Sequence, residues 1–181
     1  MSSSLELIIT STHATVTAKN SMETLENKTF DELTIGDTAE LIRTVTEQDI
    51  LLFACLSGDN NPLHLDEEYA KTTHFGQRIA HGMFSALLVT TAVATKLPGP
   101  GTIYRGQDMK FQRPIFIGDT ITAKLELTEK KKRGNLIKIS CAMTNQHGDL
   151  VFSGVSTAIA PTEKIKIKAS PLPKLSFEAE G

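Results

Sequence analysis

The stretch from Gly82 to Lys96 constrains the fold more than any other part of the chain. It carries Phe84, Leu87, Leu88 and Val93, with small residues between them and no charge before Lys96. A long apolar helix needs cover on several sides, and small residues let it sit close to a sheet. Leu97-Pro98-Gly99-Pro100-Gly101 stops it. The period of the pattern then changes from 3.6 to 2. Tyr104 to Arg113 reads as a strand ending at Pro114. Ile121, Ala123, Leu125 and Leu127 alternate with polar residues, as do Ile137, Ile139, Cys141 and Met143. Lys130 to Gly134 reads as a hairpin tip, His147-Gly148-Asp149 as a turn, and Leu150 to Ala160 as the last strand. Three consecutive strands with short turns pair antiparallel. Wrapping that sheet around the long helix gives an α+β architecture.

Upstream, Thr38 to Val45 predicts a first strand. Thr46-Glu47-Gln48-Asp49 has the spacing of a capping box and opens a helix from Asp49 to Leu56, apolar almost all round and expected to be buried. Asp66 to Lys71 predicts a short polar helix. The 181 residues suit one domain, read here as 30–160. Residues 1–29 are Ser/Thr-rich with a β-prone patch at Leu7 to Ile9, and read as an N-terminal arm. Residues 161–181, with alternating Lys and then Pro171 and Pro173, read as a linker or tail.

Charge excludes some classes of partner. Lys and Arg number 19 against 21 Asp and Glu, which provides no electrostatic reason to bind nucleic acid or an anionic membrane. Two cysteines, Cys55 and Cys141, make neither a disulfide framework nor a Cys-x-x-Cys zinc pair, so no metal is expected. The N-terminus lacks the basic start and apolar stretch of a secretory signal. Met83 to Leu97 is short for a bilayer and broken by hydroxyl residues. A cytoplasmic protein is expected.

Ser57-Gly58-Asp59-Asn60-Asn61-Pro62-Leu63-His64-Leu65-Asp66 concentrates functional residue types in an apolar region. Asp59 and His64 flank the stiff Pro62, a spacing that allows a carboxylate and an imidazole to converge on one small object such as a water. Asn61 is placed to hold the loop by side-chain to backbone bonds. The same residues also suit an ordinary loop, with Asp59 as a cap and His64 as a structural histidine. In Ile79-Ala80-His81-Gly82-Met83, the Gly82 N–H is a free donor at a helix N-terminus, where developing negative charge is favoured. Helix–sheet packing is the competing reason for that glycine, and His81 then reads as a polar residue near the helix start.

Taken together these segments resemble the Gly-Asp-x-Asn-Pro-x-His motif of the MaoC-like and (R)-specific enoyl-CoA hydratases. The similarity continues through Ala70, Phe75-Gly76, Ile79 to Met83, Lys110-Phe111, Pro114-Ile115 and Gly118-Asp119-Thr120. It implies a hotdog fold, with Gly82 to Lys96 as the sausage. It implies a homodimer or higher homo-oligomer with sheets joined edge to edge, and reversible hydration of trans-2-enoyl-CoA to (3R)-hydroxyacyl-CoA. Asp59 and His64 become the catalytic pair, Gly82 binds the thioester oxygen, and Asn61, His81 and Thr90 assist at the substrate site. Thr90 stands where some relatives carry serine, with Ser85 earlier on the helix. No cofactor is implied beyond the CoA that carries the acyl group. Some such domains are fused to a phosphotransferase domain, for which nothing catalytic is present. The competing readings are an acyl carrier protein dehydratase, a thioesterase, or a non-catalytic acyl-thioester binding subunit.

Overall fold

The computed structural model describes residues 23–173. The expected core of 30–160 lies inside one compact unit of residues 25–166. The patch at Leu7 to Ile9 and most of the arm lie outside the described residues, as does the end of the tail.

The expected alternation appears as strands β2 (Thr38–Thr44), β3 (Ile103–Phe111), β4 (Thr120–Lys131), β5 (Leu136–Thr144) and β6 (Leu150–Ile159); β1 (Thr24–Glu26) and β7 (Lys166–Lys168) are short outer pieces. The five long strands form one antiparallel sheet in the order β2-β4-β5-β6-β3. The three successive strands β4, β5 and β6 are neighbours, as their short connections require. Ile121, Ala123, Leu125 and Leu127 of β4 are all buried, as are Ile137, Ile139, Cys141 and Met143 of β5. The hairpin tip is less free than its charge suggests. Lys130 donates to the Leu33 carbonyl and lies over the Phe30 ring, and Lys131 pairs with Glu129.

The helices are α1 (Glu47–Ser57), α2 (Pro62–Leu65), α3 (Glu67–Lys71) and α4 (Phe84–Thr95). The Thr46 capping box is complete: its side chain accepts from the Asp49 N–H, and Asp49 accepts from the Thr46 N–H at 2.9 Å. Arg43 also pairs with the buried Asp49, tying β2 to α1. Helix α4 is the central helix of the expected layout and packs on β4 and β2. It buries Phe84, Ser85, Leu88, Val89, Ala92 and Val93. Gly82 and Met83 form a turn ahead of it rather than its first residues.

Helix α1 departs from the expectation that it is buried all round. Only Asp49 and Ile50 are buried, and Leu56 is 84% exposed. Apolar composition alone carries no information about which side is covered. In this chain one face packs, and Leu52, Phe53 and Leu56 open onto a groove shared with Phe84, Leu87 and Leu88 of α4.

One glycine is dictated by strand packing. A Cβ on Gly154 would sit 2.1 Å from the Asp108 carbonyl oxygen and 2.8 Å from the Gln107 side chain. Backbone cannot yield to such overlap without breaking the β3–β6 pairing. Gly154→Ala is expected to destabilise the protein by about 3 kcal/mol, read as a lower urea midpoint at unchanged slope.

Candidate active site

The loop that carries Asp59 and His64 is built by a run of local bonds. Gly58, at φ +75°, ends α1 in the left-handed region that glycine adopts freely. Its N–H reaches the Ala54 carbonyl at 2.8 Å. Ser57 Oγ then accepts from the Asp59 N–H at 3.1 Å, Asp59 Oδ1 from the Asn61 N–H at 3.2 Å, and Asn61 Oδ1 from the Leu63 N–H at 3.0 Å. Each is a turn made by a short polar side chain with backbone two residues on. Asn61 caps α2, Pro62 occupies its first turn, and this single helical turn carries His64 inward to a buried position. Asn61 thus holds the loop in the way its sequence position suggests.

The opposite wall is the segment 78–82. It pairs with the chain before β4 through an Ile79–Phe116 bridge, and the Ala80 N–H donates to the Ile115 carbonyl at 2.8 Å. The Ile79 carbonyl lies 2.8 Å from His64 Nδ1. A carbonyl only accepts, so Nδ1 carries the proton, and neutral His64 keeps its lone pair on Nε2. His81 Nε2 lies 3.2 Å from the Asp59 carbonyl oxygen and donates to it by the same logic. The His81 ring stacks on His64 with centroids 3.8 Å apart, and on Phe53 at 4.5 Å. His81 is therefore a buried part of the site's wall, where its sequence position alone suggested a polar residue near a helix start.

The Asp59 carboxylate and one nitrogen from each of His64 and His81 lie within 4.8 Å of one another. His81 Nε2–H is engaged by the Asp59 carbonyl, and stacking sets the two imidazoles side by side. The Asp59 carboxylate, His64 Nε2 and the buried His81 Nδ1, which has no hydrogen-bond partner among the described residues, are the donor atoms that remain. Burial holds the His81 imidazole below its ordinary pKa; the Asp59 carbonyl opposes this, and neighbouring His64 reinforces it. His81 is thus neutral near pH 7.

A cleft of about 310 Å³ opens beside these residues. Its apolar lining includes Phe75, Phe111, Ile115 and Val151, with His64, His81, Gly82 and Ser85 on the polar side. A Cβ on Gly82 would meet the Phe111 ring at an ordinary 3.6 Å. Packing does not demand glycine there, which removes the competing explanation for this residue. Among the described residues no acceptor is bonded to the Gly82 N–H. Thr90 stands apart from this cleft. It is exposed, donates to the Ala86 carbonyl at 2.8 Å and borders the α1–α4 groove, whereas Ser85 is buried and lines the cleft.

Residues 33–147 match the model of the MaoC like domain family. An (R)-specific enoyl-CoA hydratase of Rhodospirillum rubrum is 42% identical over 73% of this chain and 91% of its own length. A 3-hydroxybutyryl-CoA dehydratase of Methylorubrum extorquens is 36% identical over 79% of this chain and 88% of its own. The unliganded R-hydratase of Pseudomonas aeruginosa superposes with a TM-score of 0.82 at 44% identity, covering 85% of this chain and 99% of that one.

A buried neutral histidine links stability to pH. The His81 pKa is depressed in the fold, so the unfolded chain binds the proton more tightly. The stability this confers is complete above the ordinary histidine value of 6.5 and is lost as pH falls through the lower folded value. Urea titrations stepped downward from pH 6.5 should show this loss in the native protein and a shallower one in His81→Gln.

Proposed function

The chain belongs to the MaoC-like domain family, and we propose that it catalyses the reversible hydration of a trans-2-enoyl-CoA to a (3R)-hydroxyacyl-CoA. The observation that carries this reading is the convergence of the Asp59 carboxylate and a His64 ring nitrogen within 4.8 Å, beside an apolar cleft. Two proton-handling groups at that spacing hold one water. His64 Nε2 bears the lone pair, because Nδ1–H is given to the Ile79 carbonyl.

In the hydration direction the pair removes a proton from the water as its oxygen bonds to the β-carbon. The electrons of the double bond move toward the thioester, and charge gathers on its oxygen. The Gly82 N–H, ahead of α4, meets that charge. The pair then returns a proton to the α-carbon, so that one water has been added and the acid–base groups are restored. Asn61 keeps the loop folded. His81, Ser85 and the apolar wall shape the space for the acyl group. Thr90 lies on α4 at the neighbouring groove, outside this cleft. The reaction needs acid–base chemistry only, with CoA as the handle on the substrate.

The active form is a homodimer. Strand β3 is an edge of the sheet, with Ile103 and Phe111 exposed along it. Such an edge is a template for pairing with a second copy. Among the described residues no helix is long and apolar enough to cross a membrane, and the working location is the cytoplasm, in fatty acid metabolism. The domain is read as 30–160, flanked by the arm 1–29 and the tail 161–181.

Absorbance of the conjugated enoyl thioester, followed with crotonyl-CoA, tests the proposal. It should fall on addition of the protein, with no release of free thiol. Asp59→Asn and His64→Ala should each fold and lose roughly 10²–10⁴-fold in kcat, the double variant losing little more than either. Turnover near the native rate in either single variant excludes this mechanism, and thiol release would indicate a thioesterase.

A further inference from the structure

Arg78 belongs to none of the catalytic groups, yet it is firmly held. Its guanidinium makes a two-pronged contact with Glu47, at 2.8 and 2.7 Å, and its Nε reaches Glu67 at 3.3 Å. Glu47 opens α1 and Glu67 opens α3, so one side chain spans the elements on either side of the catalytic loop. The Arg78 side chain is 17% exposed, against 47% and 46% for its two partners. A planar fork matches a carboxylate in two bonds, a geometry that lysine lacks.

The next residue carries the consequence. The carbonyl of Ile79 accepts the Nδ1–H of His64 at 2.8 Å. That bond chooses the tautomer of His64 and aims Nε2. Ala80 fixes the same segment from the inner side through the Ile115 carbonyl at 2.8 Å. Two residues beyond Ile79, His81 donates to the Asp59 carbonyl. The segment 78–82 is therefore a strap, bolted outside by Arg78 and inside by Ala80, whose polar groups serve both members of the acid–base pair.

We propose that Arg78 is a positioning residue for the hydration reaction: its bonds to Glu47 and Glu67 set the Ile79 carbonyl, which holds His64 in the tautomer that presents Nε2 to water. The inference rests on the hydratase reading for its kinetic consequence, but the tautomer of His64 is readable without turnover.

The test uses Arg78→Met, which keeps the apolar stem and removes the fork, and Glu47→Gln, which weakens the same clamp with smaller risk to folding. In 15N-histidine spectra at about pH 8, where an ordinary imidazole is neutral, the signals of His64 are assigned by their disappearance in His64→Ala. The native protein should show His64 protonated at Nδ1. Both clamp variants should shift that resonance toward the mixed tautomer. With crotonyl-CoA, kcat in Arg78→Met should fall about 10-fold or more while KM stays within about twofold, and Glu47→Gln should fall by less. A folded Arg78→Met with native kcat and an unmoved His64 signal overturns the proposal. So does a loss of kcat with the tautomer unchanged. If Arg78→Met does not fold, Glu47→Gln decides by the same two readings. If the native protein leaves crotonyl-CoA and longer trans-2-enoyl-CoAs untouched, the hydratase reading fails while the His64 signal still decides the clamp.

Discussion

The fold depends on the covering of α4. Its side chains are mostly apolar or small; Ser85, Thr90, Thr91 and Thr95 bring the polar groups, and the three threonine hydroxyls each donate to a carbonyl of the same helix. Burying Phe84, Leu88, Val89, Ala92 and Val93 against the sheet removes enough apolar surface to outweigh the entropy of ordering long strands. The sheet strands are correspondingly long, with β4 running for 12 residues. Once α4 is seated, its N-terminal end is fixed, and with it the turn at Gly82. Function sits where the covering ends: the segment 78–82 leads into the helix, and the loop from α1 to α3 crosses beside it.

At that end polar groups are ordered by carbonyls more than by other side chains. The Ile79 carbonyl takes one proton from His64, and the Asp59 carbonyl takes one from His81. A carbonyl has no proton to exchange, so each bond fixes a tautomer at any pH where the ring is neutral. This is a different device from a carboxylate–histidine pair, in which the carboxylate also raises the imidazole pKa. Here the His81 ring is held low by burial, and the stacked rings avoid two adjacent positive charges.

Local signals in the sequence were sufficient for most of this. The capping box at Thr46 and the alternation in β4 and β5 both depend on neighbours within a few residues, and both appear as expected. The position of β3 beside β6 depends on contacts 41 to 56 residues apart, and no periodicity reports that. The one-turn helix α2 is too short to leave a pattern. Composition marked α1 as buried, yet only one side of it packs within the chain. His81 and Arg78 were opaque for a related reason. A histidine or an arginine in a loop is usually exposed, and what distinguishes these two is the set of partners that folding brings from α1, α3 and the catalytic loop. The alternation of 79 and 81 in an extended segment beside His64 was the available signal.

The two members of the proposed acid–base pair differ in exposure, and the difference bears on the proposed mechanism. His64 is buried, whereas Asp59 is exposed. An exposed carboxylate is well hydrated, and its field is weakened by the surrounding water. One of its oxygens already accepts the Asn61 N–H, so its orientation does not depend on bulk water. On the proposed mechanism, an acyl thioester entering the cleft along Phe75, Phe111 and Val151 displaces solvent beside the acid–base pair. Binding then strengthens the interaction of both groups with the trapped water and of the Gly82 N–H with the thioester oxygen. Acyl binding and catalytic power are thereby coupled, so a longer chain that excludes more water should gain in kcat as well as in affinity.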